Sequence, residues 1–377
     1  MRATWEWLND NVLMLAAAGA LIMTLLNALK WPADRRRAVE RRSVNPPPVD
    51  FSYTPKVSAL VAAWNEDRII KQHVESFRAL RYPNKELVLV AGGQDNTYNT
   101  ARALAGEDVI VIEQPPGTGK QGSLRLGYPH TSGDLIFLTD ADGIYTDEAF
   151  ERTIAPIIND GAHVSTGASR PLPRQRSNPF VLHLWFIERY VRAAWGETTD
   201  GVLGRNAAVS REALDAIDGF DADVQTGTDY HMAKSLIGAG YLIRYAAYSE
   251  IPTTFAEDLK KYRTQQTRWL RNVVTHGLRY KAYGEVIRNL IPAFIGLFML
   301  IAPLAALLIG PIVMVAWAAA AAHVLWSRVR YMRFGEIATG YRFGWGYLLL
   351  PVYILLDFML WSLTLFQYTL RSLRSQW

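Results

Sequence analysis

The distribution of hydropathy along the chain constrains its architecture more than any single motif. Uncharged apolar segments lie near both ends, whereas the middle of the 377-residue chain mixes charges of both signs. The mean hydropathy of +0.01 therefore averages two unlike populations. This pattern predicts a membrane protein that carries a large water-soluble insert.

The N-terminal apolar segment runs from Val12 to Leu29 and is barely long enough to cross a bilayer. A cleaved signal peptide carries its positive charge before the apolar run. Here the basic residues follow it, namely Lys30, Arg35, Arg36, Arg37, Arg41 and Arg42. This asymmetry favours a membrane anchor over a signal peptide, and the positive-inside rule places the following chain in the cytoplasm. We therefore predict a membrane helix in residues 1–30 and a basic, Pro-rich linker in residues 31–50.

Residues 286–377 are predicted to form a C-terminal transmembrane region of about three spans. Residues 290–326 are apolar with Gly310-Pro311 near their middle, so a hairpin of two spans fits a bilayer better than one overlong helix. An arginine-rich loop, predicted to be cytoplasmic, precedes the last span at 347–368. Two arginines beyond that span conflict mildly with the charge rule, which leaves the number of spans open. The expected location is the plasma (inner) membrane of a prokaryote, with several spans.

The composition excludes several kinds of site. Without cysteine, the chain has no disulfides, thiolate metal sites or cysteine nucleophiles. The net charge of +5 does not indicate a nucleic-acid partner, because the excess Lys and Arg lies mainly beside the apolar segments. Membrane lipids are therefore expected partners, and nucleic acids are not.

Residues 56 to 169 alternate between strand and helix patterns. Helical patterns begin near Glu66, Thr97, Gly119 and Thr146. This alternation, with near-continuous apolar strands, predicts an α/β fold whose mostly parallel sheet is covered on both faces. Ligands of such sheets bind beyond the carboxyl ends of the strands. The predicted strands are 56–63, 86–91, 108–113, 135–140 and 163–168.

Asp140 and Asp142 stand where the fourth predicted strand leaves the sheet. Residues two apart on an extended chain point the same way, so both carboxylates can face one cation. Hard oxygen ligands suit Mg²⁺ or Mn²⁺, with diphosphate oxygens completing the coordination. The alternative is a strand-to-turn junction that uses Asp and Gly for backbone reasons alone.

Three further polar residues follow strands on the same rim. Glu66 comes after the first strand and Asp95 after the second, although turn and capping needs also explain both. Lys120 ends the sequence Gln114-Pro-Pro-Gly-Thr-Gly-Lys120, which lacks the first Gly and the final Ser or Thr of a Walker A motif. A Lys at the start of a helix can still bind a diphosphate, the alternative being a solvated Lys.

The helical patterns after the sheet contain the remaining candidate residues. Residues 178–195 form an aromatic segment with basic flanks, typical of a helix in the membrane interface or, alternatively, of a core helix. Asp229 stands at the start of a predicted helix. It is either a cap of that helix or a general base. In the helical run 256–280, Gln265 shares a face with Arg268 and Trp269. Arg268 can bind a phosphate and Trp269 can stack on a sugar. Alternatively, Trp269 anchors the helix at the membrane interface.

The ordered series of motifs resembles glycosyltransferase family 2, and within it the membrane-embedded branch that includes hyaluronan, chitin-oligosaccharide and cellulose synthases. The resemblance covers about residues 57–269 and is strong because of the order of its motifs. They are Trp64-Asn65-Glu66, Lys120, Asp140-Ala141-Asp142, Gly204-Arg205-Asn206, Thr228-Asp229 and Gln265-x-x-Arg268-Trp269.

The resemblance implies a GT-A catalytic domain over residues 51–252, followed by an interface helix at 253–285. Such a domain transfers a sugar from a nucleotide diphosphate to a hydroxyl with inversion at the anomeric carbon. Asp140 would contact the nucleotide, Asp142 the metal, and Asp229 would be the base. Donor-binding residues would also include Glu66, Asp95, Lys120 and Arg268. The acceptor would be contacted by Trp269, Gln265 and Gly204.

One departure concerns the turn that holds the nucleobase. The family usually places Asp residues there, whereas this chain has Val90, Ala91, Gly92 and Gly93, with only Asp95 left. A UDP-sugar is therefore the default donor and not a deduction. The expected function is elongation of a polysaccharide or oligosaccharide. The alternatives are transfer of one sugar to a lipid, as in enzymes resembling ceramide glucosyltransferases, and a non-catalytic membrane subunit of a polysaccharide export system.

Overall fold

The computed structural model describes residues 6–7, 10–43, 48–224 and 227–372. Its contacts divide the chain into two units that alternate along the sequence. The sheet unit comprises residues 46–175 and 194–255. The helical unit comprises residues 1–45, 176–193 and 256–377.

The sheet unit is built on one eight-stranded sheet of order β3-β2-β1-β4-β7-β5-β8-β6. The pairs β1–β2, β2–β3, β1–β4 and β5–β8 are parallel. Strand β7 runs antiparallel to both β4 and β5, and β6 runs antiparallel to β8. The predicted, mostly parallel sheet is confirmed. The strands are β1 (Val57–Trp64), β2 (Lys85–Gly92), β3 (Val109–Glu113), β4 (Leu135–Leu138), β5 (Val164–Pro171), β6 (Thr198–Thr199), β7 (Ala207–Ser210) and β8 (Ile243–Thr253).

Helices cover both faces of this sheet, so each central strand is buried on both sides. In β1, Ala59 and Val61 join one apolar core with Phe77 and Phe150, whereas Leu60 joins a second core on the opposite face. Successive side chains alternate between faces, so a strand covered on both sides is apolar at nearly every position. Ser58 is the exception in β1. The helices of this unit, numbered along the whole chain, are α2 (Asp67–Arg78), α3 (Thr97–Ala103), α4 (Gly119–Gly127), α5 (Asp147–Asp160), α7 (Arg211–Asp215) and α8 (Thr228–Gly238).

The helical unit contains three helices that are long and apolar enough to cross a membrane, within the part of the chain that the structure describes. They are residues Val12–Arg42 of α1, the whole of α10, and Gly346–Phe366 of α12. Helices α10 and α11 are separated at Gly310–Ile312, where the sequence predicts the bend of a hairpin. Helix α11 is not among the three candidates, so a third C-terminal span stays a prediction. The unit comprises α1 (Val12–Ser43), α6 (Pro179–Arg192), α9 (Leu259–Arg279), α10 (Tyr283–Ile309), α11 (Val313–Thr339) and α12 (Gly346–Ser372).

Helix α6, the aromatic segment, packs against other helices of the helical unit. Its residues 181–186 are all buried. The ring of Tyr190 stacks on Tyr331 of α11 at a centroid distance of 4.0 Å, and Phe186 lies against Gly335 so closely that any side chain there would overlap it. The location of this helix at the membrane interface stays a prediction.

Candidate active site

A tight turn after β4 holds the two acids of the Asp-x-Asp motif. The amide of Gly143 donates to the carbonyl of Asp140 over 2.9 Å and closes the turn. The Asp142 carboxylate accepts a hydrogen bond of 2.9 Å from the Thr253 hydroxyl at the end of β8. Burial, followed by the charge of Asp140, raises the pKa of the Asp142 carboxyl. Two acids that disfavour each other's ionisation fit a site where a cation binds.

Glu66 lies close enough to these acids for their charges to affect its pKa. Burial raises the pKa of Glu66 to about 7, with further contributions from the charges of Asp142, Asp140 and Asp95. The carboxyl groups after β1, β2 and β4 therefore lie at one rim of the sheet, as the parallel topology predicts.

The Asp95 carboxylate accepts hydrogen bonds from the first residues of α2 and α3. Its Oδ1 accepts from the hydroxyl and the amide of Thr97, at 2.6 and 3.0 Å, and its Oδ2 accepts from the amide of Asp67 at 3.3 Å. Burial alone would raise the pKa of the Asp95 carboxyl, but these hydrogen bonds together lower it. Capping explains the observed contacts of Asp95, and its contact with a nucleotide stays a prediction.

Asp140 and Asp142 could hold a divalent cation only with help from a ligand. Among the residues that the structure describes, no three His, Asp or Glu side chains are grouped closely enough to hold a metal ion. The two carboxylates supply hard oxygen donors of the kind that Mg²⁺ and Mn²⁺ prefer. The residues present therefore fit a cation whose coordination is completed by phosphate oxygens.

Lys120 connects these acids to Asp229. Its Nζ lies 2.6 Å from Oδ1 of Asp140 and 3.9 Å from Oδ1 of Asp229. Burial works against the charged amine, but the two carboxylates outweigh it and raise the pKa of Lys120. Lys120 is thus an ion-paired cation, and its contact with a diphosphate stays a prediction.

Asp229 is oriented by its neighbours in the first turn of α8. Its Oδ2 accepts from the amide of Gly204 at 3.1 Å, and its Oδ1 accepts from the Thr228 hydroxyl at 2.9 Å. The resemblance predicts that Gly204 contacts the acceptor. Its observed partner is Asp229, and the acceptor contact stays a prediction. Asp229 and Lys120 line one cleft, together with Gly204 and Thr228.

Three side chains near the Asp-x-Asp turn had no role assigned from the sequence. The positive charge of Arg205 offsets part of the rise in the pKa of Asp142, and it offsets part of the rise in the pKa of Lys120. Thr253 and Thr254 both donate hydrogen bonds to Asp142. Arg205 lies inside a motif that the sequence singled out, whereas nothing local marks threonines more than a hundred positions away from their partner.

Asn206, the last residue of that motif, anchors the Gly204-Arg205 segment from within the core. Its side chain is fully buried and donates to the Ala168 carbonyl at 2.8 Å and the Ser249 hydroxyl at 2.9 Å. Its Oδ1 accepts from the Thr153 hydroxyl at 2.9 Å. A buried amide with these partners fixes the backbone that reaches Asp229.

The glycines at the predicted nucleobase turn permit close contact between loops. A Cβ on Gly93 would lie 2.4 Å from Oδ1 of Asn65, and one on Gly92 would lie 2.7 Å from the Gln114 carbonyl. Asn65 itself adopts a φ of 60°, which Asn tolerates better than most residues. Packing among the loops after β1, β2 and β3 therefore explains why glycine stands where the family usually has Asp.

Gln265, Arg268 and Trp269 lie on α9 of the helical unit. Arg268 is exposed, whereas Gln265 and Trp269 are half-buried. Within the sheet unit, Glu66 lies near Asp140 and Asp142. Lys120 lies near Asp229, which also accepts a hydrogen bond from Gly204. The participation of the three α9 residues in the site stays a prediction.

Comparison with known proteins identifies the family. The family described as glycosyltransferase like family 2 matches residues 55–272, which is more than half of the chain. A probable glycosyltransferase YdaM of Bacillus subtilis is 28% identical over 233 residues, covering 58% of this chain and 55% of that protein. A poly-β-1,6-N-acetyl-D-glucosamine synthase of Staphylococcus aureus is 24% identical over 240 residues, covering 61% and 57%. The chain thus spans just over half the length of these relatives.

A solved structure supports the fold. The mannosyltransferase PcManGT of Pyrobaculum calidifontis, in complex with GDP-Man and Mn²⁺, aligns with a TM-score of 0.52 at 19% identity. The alignment covers 93% of this chain and 95% of that one. Together with the sheet topology and the extent of the family match, this shows that the chain belongs to glycosyltransferase family 2 and carries a GT-A catalytic domain.

Proposed function

We propose that the protein is a membrane-bound inverting glycosyltransferase that moves a sugar from a nucleotide-diphosphate sugar to a hydroxyl acceptor. The observation that carries this proposal is Lys120, which pairs with Asp140 and lies 3.9 Å from Asp229. The amine of Lys120 is therefore close to both the proposed donor-side acid and the proposed base. Direct displacement needs both groups in one cleft, and it needs no covalent nucleophile.

In this mechanism Asp229 removes the proton from the acceptor hydroxyl as that oxygen attacks the anomeric carbon. A carboxylate can act as base only within hydrogen-bond reach of the proton, and the bonds from Gly204 and Thr228 hold Asp229 in one orientation. Lys120 stabilises the negative charge that develops on the leaving diphosphate. Mg²⁺ or Mn²⁺, held by Asp140 and Asp142, would supply additional positive charge there.

The acceptor is proposed to be a growing polysaccharide or oligosaccharide. The polysaccharide synthase among the relatives supports this choice. Transfer of one sugar to a lipid is the alternative. It is favoured by the three candidate spans among the described residues, because three helices leave little room for a polymer channel. We place the catalytic domain on the cytoplasmic side of the plasma membrane, because basic residues follow the first apolar segment.

Purified protein with Mn²⁺ and a panel of labelled nucleotide sugars, UDP-sugars first, tests the activity. We expect metal-dependent transfer with one donor. The length of the product then separates the two acceptors: a ladder of oligosaccharides supports elongation, and a glycolipid with a single sugar would exclude it.

The Asp229→Asn variant tests the proposed base. An amide cannot accept the proton, so we expect kcat to fall by about 10²–10⁴-fold while the donor still binds. Asp218→Asn is the control, because it makes the same change at a side chain that is 95% exposed. Full turnover by the Asp229 variant would show that another group is the base.

A further inference from the structure

A histidine occupies the buried face of α2. Ile70, His73, Val74 and Phe77 form this face, and the His73 side chain is fully buried. Within the described residues, its Nε2 has no hydrogen-bond partner. A leucine would fill this position without desolvating two ring nitrogens, so the histidine must contribute something that an apolar side chain cannot.

The contribution is a hydrogen bond to the Asp-x-Asp turn. Nδ1 of His73 lies 2.7 Å from the carbonyl oxygen of Gly143, the residue directly after Asp142. A carbonyl oxygen only accepts, so Nδ1 carries the proton and donates it. The imidazole therefore holds the backbone that carries Asp142.

Ser76, nearly one helical turn after His73 on α2, contacts the same turn. The hydroxyl of Ser76 accepts a hydrogen bond of 3.0 Å from the amide of Tyr145 and donates one of 2.7 Å to the carbonyl of His73. The ring of Tyr145 also packs on the His73 ring, with centroids 4.9 Å apart. Helix α2 is thus hydrogen-bonded to Gly143 through His73 and to Tyr145 through Ser76.

Strand β8 holds the turn from the other side. The amide of Ile144 donates to the Pro252 carbonyl at 2.8 Å, and the Thr253 hydroxyl donates to the Asp142 carboxylate at 2.9 Å. With both sides anchored, the Asp142 carboxylate has a defined direction. Removal of the His73 donor would take away one of the two α2 contacts and leave the buried Gly143 carbonyl without its hydrogen bond.

We propose that His73 is a positioning residue, which fixes Asp142 so that its carboxylate meets a divalent cation at the donor diphosphate. This role rests on the proposed function, in which Asp142 is a metal ligand. Groups that orient metal ligands from outside the coordination sphere typically change metal affinity by about 10–100-fold when they are removed.

The test measures metal binding directly and does not depend on turnover. Full-length protein in detergent is titrated with Mn²⁺ in the presence of UDP, and separately of GDP, and free Mn²⁺ is followed by its electron paramagnetic resonance signal. We expect His73→Leu to weaken Mn²⁺ binding by about 10–100-fold. His73→Asn, whose side-chain amide nitrogen can take the place of Nδ1, should recover most of the affinity.

Tyr82→Phe is the matched control. Tyr82 lies in the apolar core that also contains Tyr145, the ring on which His73 packs. Its hydroxyl likewise donates to a buried backbone carbonyl, that of Pro55, at 2.7 Å. This variant loses a comparable bond far along the chain from the turn, and its Mn²⁺ affinity should equal that of the wild type.

The outcomes separate the two proposals. Wild-type protein that binds no Mn²⁺ with either nucleotide would overturn the metal site itself. Wild-type binding that is matched by His73→Leu, or lost equally in Tyr82→Phe, would overturn only the role of His73. Weak binding in His73→Leu, with recovery in His73→Asn, supports it.

Discussion

At position 204 the backbone approaches the Asp229 carboxylate so closely that no side chain fits between them. A Cβ on Gly204 would lie 2.4 Å from Oδ1 and 2.6 Å from Cγ of Asp229. Any substitution must therefore displace the carboxylate and break its bond to the amide of residue 204. The absence of a side chain is what this residue contributes to the site.

The variant Gly204→Ala is expected to lower kcat by about 100-fold, because it displaces Asp229, the proposed base, and a catalytic group displaced by about 1 Å loses activity on that scale. Steady-state kinetics with the donor that supports transfer provide the measurement. Gly201→Ala is the matched control: among the described residues, a Cβ there meets no atom within 4 Å. Equal activities of the two alanine variants would contradict the positioning of Asp229 by Gly204.

Glu66 makes the stability of the protein depend on pH. Its pKa is about 7 in the folded protein, against an ordinary value of 4.5, because of burial and neighbouring acids. Between these two values the folded protein keeps the proton that the unfolded chain has lost, so the contribution of Glu66 to stability falls as pH rises through 7. A glutamine side chain at this position would mimic the protonated form at every pH.

We therefore expect the melting temperature of Glu66→Gln to exceed that of the wild type by a margin that grows as pH rises from 4.5 to about 7. Thermal unfolding of both proteins at several pH values, without metal, provides the measurement. Parallel curves for the two proteins would mean that Glu66 titrates at its ordinary pKa.

At the scale of elements, a buried ionic cluster joins α1 to α11 in the helical unit. Asp34 is 1% exposed and Arg330 is 7% exposed. Nε of Arg330 donates to Asp34 at 2.8 Å, and its Nη1 donates to Asn27 at 3.0 Å. Tyr190 of α6 contacts both charged groups, at 3.2 Å from Asp34 and 2.8 Å from Arg330. Three helices thus meet at one pair of opposite charges.

The variant Asp34→Ala should lower the free energy of unfolding by about 3–5 kcal/mol, because it leaves the Arg330 guanidinium buried without its counter-charge. Thermal unfolding in detergent tests this. Arg37→Ala is the control from the same cluster, since the Arg37 side chain is 38% exposed and its pair with Asp34 should contribute less than about 1 kcal/mol. A larger loss for Arg37 than for Asp34 would contradict this account.

At the scale of the whole molecule, the proposed orientation in the membrane can be tested with introduced cysteines, because the chain has none of its own. We expect Lys71→Cys, at a side chain that is 69% exposed in the sheet unit, to react with a membrane-impermeant maleimide only after the membrane is permeabilised. Pro311→Cys, in the exposed bend between α10 and α11, should react in intact spheroplasts. The reverse labelling pattern would invert the proposed topology.

Several features of this protein follow from local sequence. The runs that become β1 to β4 are recognisable because a strand covered on both faces is apolar at most positions, whereas β5 contains the buried polar residues Ser165, Thr166 and Ser169. Asp140 and Asp142 could be placed at the rim because parallel strands bring their carboxyl ends to one edge. The break near Gly310-Pro311 was recognisable from the length of the apolar run and from two residues that interrupt helices.

Other features depend on partners that no local pattern reveals. Strand β7 has four residues and is inserted antiparallel between β4 and β5, a pairing that the alternating pattern did not predict. Asp142 and Thr253 are 111 positions apart, and Asp34 and Arg330 are 296 positions apart. The sequence alone leaves Lys120 either solvated or bound to a ligand, whereas the structure places it beside Asp140 and Asp229.

The sequence by itself determined the class of fold, the family and the chemical types at the rim, because each depends on periodicity or on the order of motifs. Only the tertiary structure decided which groups meet: Lys120 with two acids, Gly204 with Asp229, and His73 with the turn after Asp142. The physical reason is that hydrogen bonds and ion pairs act over a few ångströms in space. The sequence separation of two residues does not determine that distance; the path of the folded chain does.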